Sequence, residues 1–371
     1  MTFSIKECGY PVEFANYQRN SHVLAAARTQ WETAWSKSFS EVDPELLVSP
    51  RAVLAGDSIV AAKTASELFV YTASGKFKFM EALRNPTPVV LGAGAMAWFN
   101  EAQGLVYEDY NQRKLRPAEP VPGFDEWAYA LLIKPAKDDL LAVIQNAGIR
   151  GQREKKFYIY DFTRGRLTKK WFHEFPGIVN HALLTADEKT LIVIVGEEAT
   201  LYDVDSGKGI ASFKTGLVKP FTASIDLKGD LVVTGVAEDA PSAKKFCRAY
   251  SPAGEALWSI ELVNPLLVQP PVCGEEGYFY YFDNRCLICS VDGIVKWSTP
   301  PLFGDSACMT ATGGNRLLVL DGALLTLFDP AGEKIFKSVV SKEEETFTVP
   351  PAVAADGAIY VMSDKNLYRL E

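Results

Sequence analysis

Ser290–Ser298 reads SVDGIVKWS, and 39 residues earlier Ser251–Ser259 reads SPAGEALWS. Each stretch sets a glycine four residues ahead of a tryptophan that a serine follows. The same step from glycine to an aromatic recurs from Gly75 to Phe79 and from Gly332 to Phe336. Looser copies, DFTRGRLTKKW and DVDSGKGIASF, end at Trp171 and Phe213. Self-similarity at a period of about 40 residues marks a repeat architecture, in which each unit buries its apolar face on the next.

Working outward from the glycine fixes what one unit contains. Ahead of it stand runs of aromatic and β-branched residues, such as LFVY (Leu68–Tyr71), FYIYD (Phe157–Asp161) and CLICS (Cys286–Ser290). Such residues fit a pleated, half-buried surface, and glycine supplies the tight turn because it accepts a positive φ. Further upstream a second hairpin is introduced by proline, as in SPRAVLAGDSIVAA, TPVVLGAGAMAWF, PPVCGEEGYFYYF and PPAVAADGAIYVM. Apolar runs around Gly or Asp turns are a hairpin pattern. Each unit therefore holds four strands, A to D in chain order, with the aromatic on D.

Units end near residues 79, 115, 171, 213, 258, 297 and 336, the second lacking its aromatic around Asn111–Arg116. The chain finishes in NLYRLE (Asn366–Glu371), which reads as a C strand with no D strand behind it. Propellers avoid unpaired sheet edges by closing the ring. WETAWSKSFS carries a Trp35-Ser36 ending with no hairpin before it, so Trp31–Phe39 is expected to supply the missing strand. The expectation is an all-β, eight-bladed β-propeller over residues 31–371, with 1–30 as an N-terminal extension. A seven-bladed ring is the alternative if the second unit is not a full sheet. Within the extension, Asn20–Gln30 reads as a short helix capped by Asn20 or Ser21.

LYDVDSGKGIASF and LFVYTASGKFKF resemble the repeat of the pyrroloquinoline-quinone-like β-propellers, over residues 31–371. That family holds eight-bladed quinoprotein dehydrogenases and non-enzymatic relatives such as the propeller lipoprotein of outer-membrane barrel assembly. The resemblance implies the fold, and fold alone does not select a function. Quinoprotein enzymes carry adjacent cysteines and a calcium site of Glu, Asn and Asp; no Cys-Cys pair occurs here and no such set can be matched. The non-enzymatic branch is the expectation, with no cofactor. There are no Trp-Asp or Gly-His pairs of the WD40 kind, and the sialidase-type Asp box sets its glycine one residue closer to the tryptophan.

Composition bounds the rest. With 48% hydrophobic and 23% charged residues the chain has the make-up of an ordinary globular protein. A net charge of -8 argues against a duplex-binding surface, which needs a clustered basic footprint. The first residues, MTFSIKECGYPVEF, hold no apolar run of the secretory kind, and no stretch nears the roughly 18 apolar residues of a membrane span. A cytoplasmic protein away from the membrane is expected.

Catalytic patterns are absent from the sequence: it holds no Gly-x-Ser-x-Gly, phosphate loop or His-Glu-x-x-His. Cys286 and Cys289 sit three apart on a strand, hence on opposite faces, which argues against a metal site. His173 and His181 lack a nucleophile partner and read as structural.

Loop length carries the functional signal. In a propeller the D-to-A segments and B-to-C turns share one face. Two B-to-C turns are long, Asn146–Lys156 and Ala237–Lys245, and so are the inter-unit segments Pro117–Trp127 and Ser341–Phe347. Long loops on a rigid scaffold tend to carry function. Arg150, Arg153, Lys155, Lys156, Lys244 and Lys245 make this face basic, and Phe124 and Trp127 offer apolar anchors of the kind that dominate hot spots. The reading is an interaction scaffold whose partners are proteins with an acidic surface. The competing reading is a quinone-dependent dehydrogenase-like enzyme or small-ligand binder using the central channel.

Overall fold

The computed structural model describes residues 22–23, 26–39, 52–56, 58–64, 67–82, 89–91, 95–100, 104–109, 114–117, 128–134, 139–145, 156–163, 166–177, 179–185, 187, 189–237, 243–265 and 271–371. None of them is helical. The strands form a succession of four-stranded antiparallel meanders at 52–82, 90–117, 128–174, 179–214, 219–262, 272–298 and 308–339. We number these sheets in chain order. The last sheet joins 352–370 to Thr33–Ser38. The second repeat forms a complete sheet despite its missing aromatic, with Lys114–Pro117 as fourth strand.

Burial explains the sequence pattern. The B strands Ile59–Lys63, Thr190–Val195 and Leu231–Val236 are buried at nearly every position, covered on both faces by neighbouring sheets. Strands covered on both sides read as continuous apolar runs. The D strands Phe77–Ala82, Gly209–Lys214 and Lys334–Val339 instead alternate exposed with half-buried residues, as outer edges do. Lys214 and Lys337 lie along them, charges that discourage edge-to-edge pairing.

The strand expected at Trp31–Phe39 is Thr33–Ser38, antiparallel to Asn366–Leu370. Reciprocal backbone bonds between Glu32 and Glu371, and one from Phe39 to Lys365, extend the ladder at both ends. Trp31 is buried edge-on against Phe336, with ring centroids 4.6 Å apart.

The helix expected over Asn20–Gln30 is not formed by the described residues. His22–Val23 is a strand, paired in parallel with Ala311–Thr312 of the seventh sheet, and Ala26–Arg28 has no regular structure. The edge of Cys308–Thr312 presents a row of backbone donors and acceptors, and pairing satisfies them, whereas a helix this short is marginal. Ala27 then packs into the same core cluster as Trp31.

Hydrogen bonds between turns sort the connections into two faces. The B-to-C turns touch the D-to-A segments: Asn284 donates to Asn264, Phe303 to Arg285, and Asp364 to Thr346. On the opposite face the C-to-D turns touch the A-to-B turns: Ala73 donates to Ser58, Val204 to Lys189, and Asp292 to Gly277.

Candidate functional site

The sheets are locked together by one repeated contact, and it accounts for the motif. In five of the sheets the D-strand aromatic lies against the glycine of the next sheet's C-to-D turn: Trp35 on Gly75, Trp171 on Gly207, Phe213 on Gly254, Trp258 on Gly293 and Trp297 on Gly332. Each of these glycines has a positive φ, and a Cβ at Gly332 would lie 2.8 Å from the Trp297 ring. Three of the indoles donate to a carbonyl of the turn they cover, Trp35 to Ala73 (3.2 Å), Trp171 to Val204 (2.9 Å) and Trp297 to Pro330 (3.0 Å). An aromatic on the partner C strand completes the seat: Tyr71, Tyr202, Tyr250 or Phe328.

The contact between the fifth and sixth sheets departs from this pattern. In the sixth sheet Val291 pairs with Ile294 across a two-residue turn, Asp292-Gly293, with φ of 48° and 79°. That is the turn an Asp-Gly pair favours in a tight hairpin. Its neighbours use longer turns, in which Gly254 and Gly332 donate back to Ser251 and Asp329. There the second turn residue keeps a free carbonyl, as Pro330 does for Trp297. The sixth turn has no residue in that role.

The tighter turn also shifts the strand register, so that Ser290 stands opposite Phe279. Tyr250 holds the corresponding place in the fifth sheet, opposite Leu231. A small hydroxyl side chain thus replaces a ring, and the Ser290 hydroxyl is buried with no hydrogen-bond partner. Trp258 follows suit. A Cβ at Gly293 would meet Trp258 at its Cβ and Cγ, whereas the corresponding positions at Gly75, Gly207 and Gly332 lie over the ring-fusion atoms. Its indole leans on Phe279, at 5.2 Å between centroids, and its N–H makes no hydrogen bond among the described residues.

What results is a cleft of about 300 Å³ on the face of the A-to-B and C-to-D turns. Trp258, Leu257, Tyr278 and Phe279 form its apolar walls, and Asp226, Asp230, Asp292 and Lys228 its polar rim. Asp226 organises the A-to-B turn by accepting from the backbone N–H groups of Lys228 (2.8 Å) and Asp230 (2.9 Å). Lys228 reaches across to Asp292 at 3.5 Å. Burial pushes the Asp226 carboxyl up, outweighing those two hydrogen bonds and the lysine charge. Asp230 is pushed up by burial and then by the Asp226 charge.

The residues singled out from sequence lie elsewhere. The long B-to-C connections of the third and fifth sheets are present, between Gln145 and Lys156 and between Val236 and Lys245. Lys156 opens its strand, in register with Gln145 and Glu174, and Lys245 opens the fifth sheet's C strand. Lys244 is exposed and paired with Glu261 at 2.9 Å, which partly neutralises this end of the basic face. Phe124, Trp127, Arg150, Arg153 and Lys155 fall outside the described residues.

The segment Ser341–Phe347 is fastened rather than free. The Glu345 carboxylate accepts from Ser341 (3.0 Å), Asn366 (3.0 Å) and Tyr368 (2.6 Å). Burial works to raise that carboxyl, and the donated hydrogen bonds outweigh it and hold it low.

His173 takes the structural role expected of it, 2.8 Å from the Gly207 carbonyl and 4.7 Å from the Tyr202 ring. Cys289 is buried in a core cluster while Cys286 is partly exposed, so the two thiols diverge as strand spacing requires. Burial pushes the Cys289 thiol up to about 12, and Cys247, Cys273 and Cys308 up as well.

No protein-family model and no curated protein matches the sequence. Solved structures match across the whole chain. BamB from Moraxella catarrhalis superposes with a TM-score of 0.59 at 12% identity, over 92% of this chain and 100% of that one. The quinohemoprotein alcohol dehydrogenase ADHIIG from Pseudomonas putida HK5 gives 0.64 at 10% identity, over 99% and 80%. A europium-containing methanol dehydrogenase gives 0.61 at 10% identity, over 98% of each chain. The chain therefore has the fold of the pyrroloquinoline-quinone-type β-propellers.

Proposed function

We propose that the sheets close into a single eight-bladed ring over residues 31–371, with 1–30 as an extension, and that this ring is a non-enzymatic interaction scaffold. Contacts between the first and last sheets support the closure. Trp35 of the last sheet lies on Gly75 of the first, and Arg369 donates to the Ala73 carbonyl at 2.9 Å. The complete second sheet supports eight blades over seven.

The observation that carries the scaffold reading is the position of His22–Val23, outside the A strand of the seventh sheet. In a propeller the A strands line the axis. The extension's own backbone thereby takes up room on the side where a channel-bound cofactor or substrate would sit. BamB fits a propeller of this kind, and the dehydrogenases supply the competing reading on the same fold. In this proposal, protein partners with acidic surfaces dock on the long-loop face, and the buried, unreactive thiols suit a reducing, cytoplasmic setting.

Two measurements on the full chain test it. Titration with pyrroloquinoline quinone, followed by absorbance, is expected to give no saturable binding; saturable binding together with alcohol oxidation overturns the scaffold reading. A complex reconstituted with a purified partner is expected to dissociate when Asn146–Lys156 and Ala237–Lys245 are shortened to tight turns. Retention of the complex by the shortened variant moves the docking surface off that face.

A further inference from the structure

The parallel pairing of His22–Val23 with Ala311 and Thr312 fixes a direction for the chain that precedes it. The seventh sheet's A strand, Cys308–Thr312, starts from its D-to-A segment on the long-loop face and ends at its A-to-B turn on the opposite face. A strand parallel to it runs the same way. Beyond Val23 the chain reaches the A-to-B turns: the Ala26 carbonyl lies 2.9 Å from where a Cβ on Gly357 would stand, in the A-to-B turn of the last sheet. On that same face Glu32 bonds Glu371, and the chain then follows the sheet's outer edge as Thr33–Ser38.

His22 and Val23 account for only the last two residues of that A-strand edge. The first three, Cys308, Met309 and Thr310, present backbone donors and acceptors of their own, which a strand edge must satisfy. Burial points to a cover that continues past His22. All five positions of Cys308–Thr312 are buried, whereas the A strands of the fourth and fifth sheets are exposed at Asn180 and Lys219. Residues 1–21 lie outside the described residues.

We propose that residues 19–21 continue this ladder along residues 308–310, so that the extension threads the ring and delivers the residues before it to the long-loop face. The inference rests on the ring closure proposed above. Continuing the register sets Ser21 opposite Thr310, Asn20 opposite Met309 and Arg19 opposite Cys308. Three extended residues span about 10 Å, the remaining length of the A strand. The occupant is this chain itself, because edge, direction and register are continuous with a pairing already made. Phe3, Tyr10 and Phe14 of the delivered segment then join the basic loops as part of the surface offered to a partner.

Two readouts on the full chain test it. In Arg19→Cys the new thiol is expected to form a disulfide with Cys308 on oxidation with diamide, read by mass spectrometry of the unreduced digest. Asn20→Cys, whose side chain belongs to the other face of the ladder, is expected to form none with Cys308. In the unaltered chain an amine-reactive cross-linker is expected to join Lys6 mostly to Lys342 and Lys365, both exposed on the long-loop face. Links to Lys76, Lys189 and Lys228, exposed at turns of the opposite face, are expected to be rare. A missing Cys308 bridge in Arg19→Cys, or one formed equally by Asn20→Cys, overturns the strand continuation. Lys6 joined mostly to the second set of lysines overturns the delivery to the long-loop face. An intact bridge with Lys6 joined to both sets alike overturns the threading through failure of the ring closure itself.

Discussion

At the contact between the sixth and seventh sheets, Trp297 lies across Gly332, stacks on Phe328 and donates to the Pro330 carbonyl. At the contact between the fifth and sixth, Trp258 meets Gly293 most closely with the base of its side chain, faces a serine where a ring would be, and donates to no acceptor among the described residues. The two stretches of sequence are almost the same motif. The difference arises in the turn that receives the indole: Asp329-Pro330-Ala331-Gly332 in one case, Asp292-Gly293 in the other. Proline fixes φ at the second turn position and leaves its carbonyl free, whereas Asp-Gly closes the hairpin two residues wide and draws its flanks into the ladder. A repeat can thus be kept for structure at one interface and opened at the next by changing only the turn.

The largest expected effect tests whether the full seat matters. Trp297→Ala is expected to cost about 3–5 kcal/mol in urea unfolding, the range for emptying a packed aromatic site. Trp258→Ala, which enlarges an existing cleft at a partly exposed side chain, is expected to cost about half as much. Equal losses would mean that the acceptor and the ring platform contribute nothing, and the contrast between the interfaces would collapse.

Next comes the glycine beneath the indole. Gly332→Ala places a Cβ 2.8 Å from Trp297 at a φ of +88°. The left-handed backbone costs about 1–2 kcal/mol and the forced displacement of the ring adds about 1 kcal/mol or more. Gly314→Ala, at a φ of +73° with nothing within 4 Å, isolates the backbone part and is expected to cost about 1 kcal/mol. A Gly332→Ala loss no larger than that of Gly314→Ala would show that the ring yields freely.

A smaller effect separates the hydrogen bond from the packing. Trp297→Phe leaves the Pro330 carbonyl without its donor, while Trp258→Phe removes a donor that has no acceptor among the described residues. The first is expected to exceed the second by about 1 kcal/mol, the net worth of one such bond. If the two substitutions cost the same, Trp258 has a partner in solution that the turn geometry does not supply.

Much of this was legible in the sequence. The interval between SPAGEALWS and SVDGIVKWS fixes four strands per unit, and Trp35-Ser36 betrays the displaced strand, because both depend on residues whose geometry is local. A positive φ selects glycine, and a bulky ring needs a neighbour to bury it. The cleft was harder to read because it depends on a register shift. Cys289 aligns in sequence with Tyr250, yet Ser290 occupies the corresponding place once the tighter turn has moved the pairing by one residue. The Asp-Gly pair in place of Pro-Ala-Gly was the available signal. His22–Val23 was hidden for a different reason: two residues carry no periodicity, and their pairing is decided by an edge almost 300 residues away in sequence. The long loops were visible as lengths, while the pairing of Lys244 with Glu261 was not, since it joins two strands across a ladder.

The smallest expected effect compares two carboxylates that serve A-to-B turns. Asp226 in the fifth sheet is buried, and burial raises its carboxyl above the ordinary value in spite of two backbone donors. The folded state therefore keeps a proton over a range in which the unfolded chain has lost it, and stability falls as pH rises from about 4 through the folded value. Asp356 in the last sheet behaves oppositely. Burial acts to raise it, but the Ala358 N–H at 3.0 Å and Arg369 at 2.8 Å outweigh that and hold it low. Its contribution is present above the ordinary carboxylate value and is lost as pH falls through the lower folded one. Asp226→Asn keeps an acceptor for both N–H groups, so in thermal melts from about pH 3 to 7 the variant's stability relative to the parent is expected to rise as pH increases from about 4, while the fold persists. Asp356→Asn is expected to lose stability near neutrality and to match the parent at the acid end, both effects staying below about 1 kcal/mol. Parallel pH profiles for the two variants would mean that the turns share one electrostatic environment, and the fifth-sheet cleft would have no claim to a charge of its own.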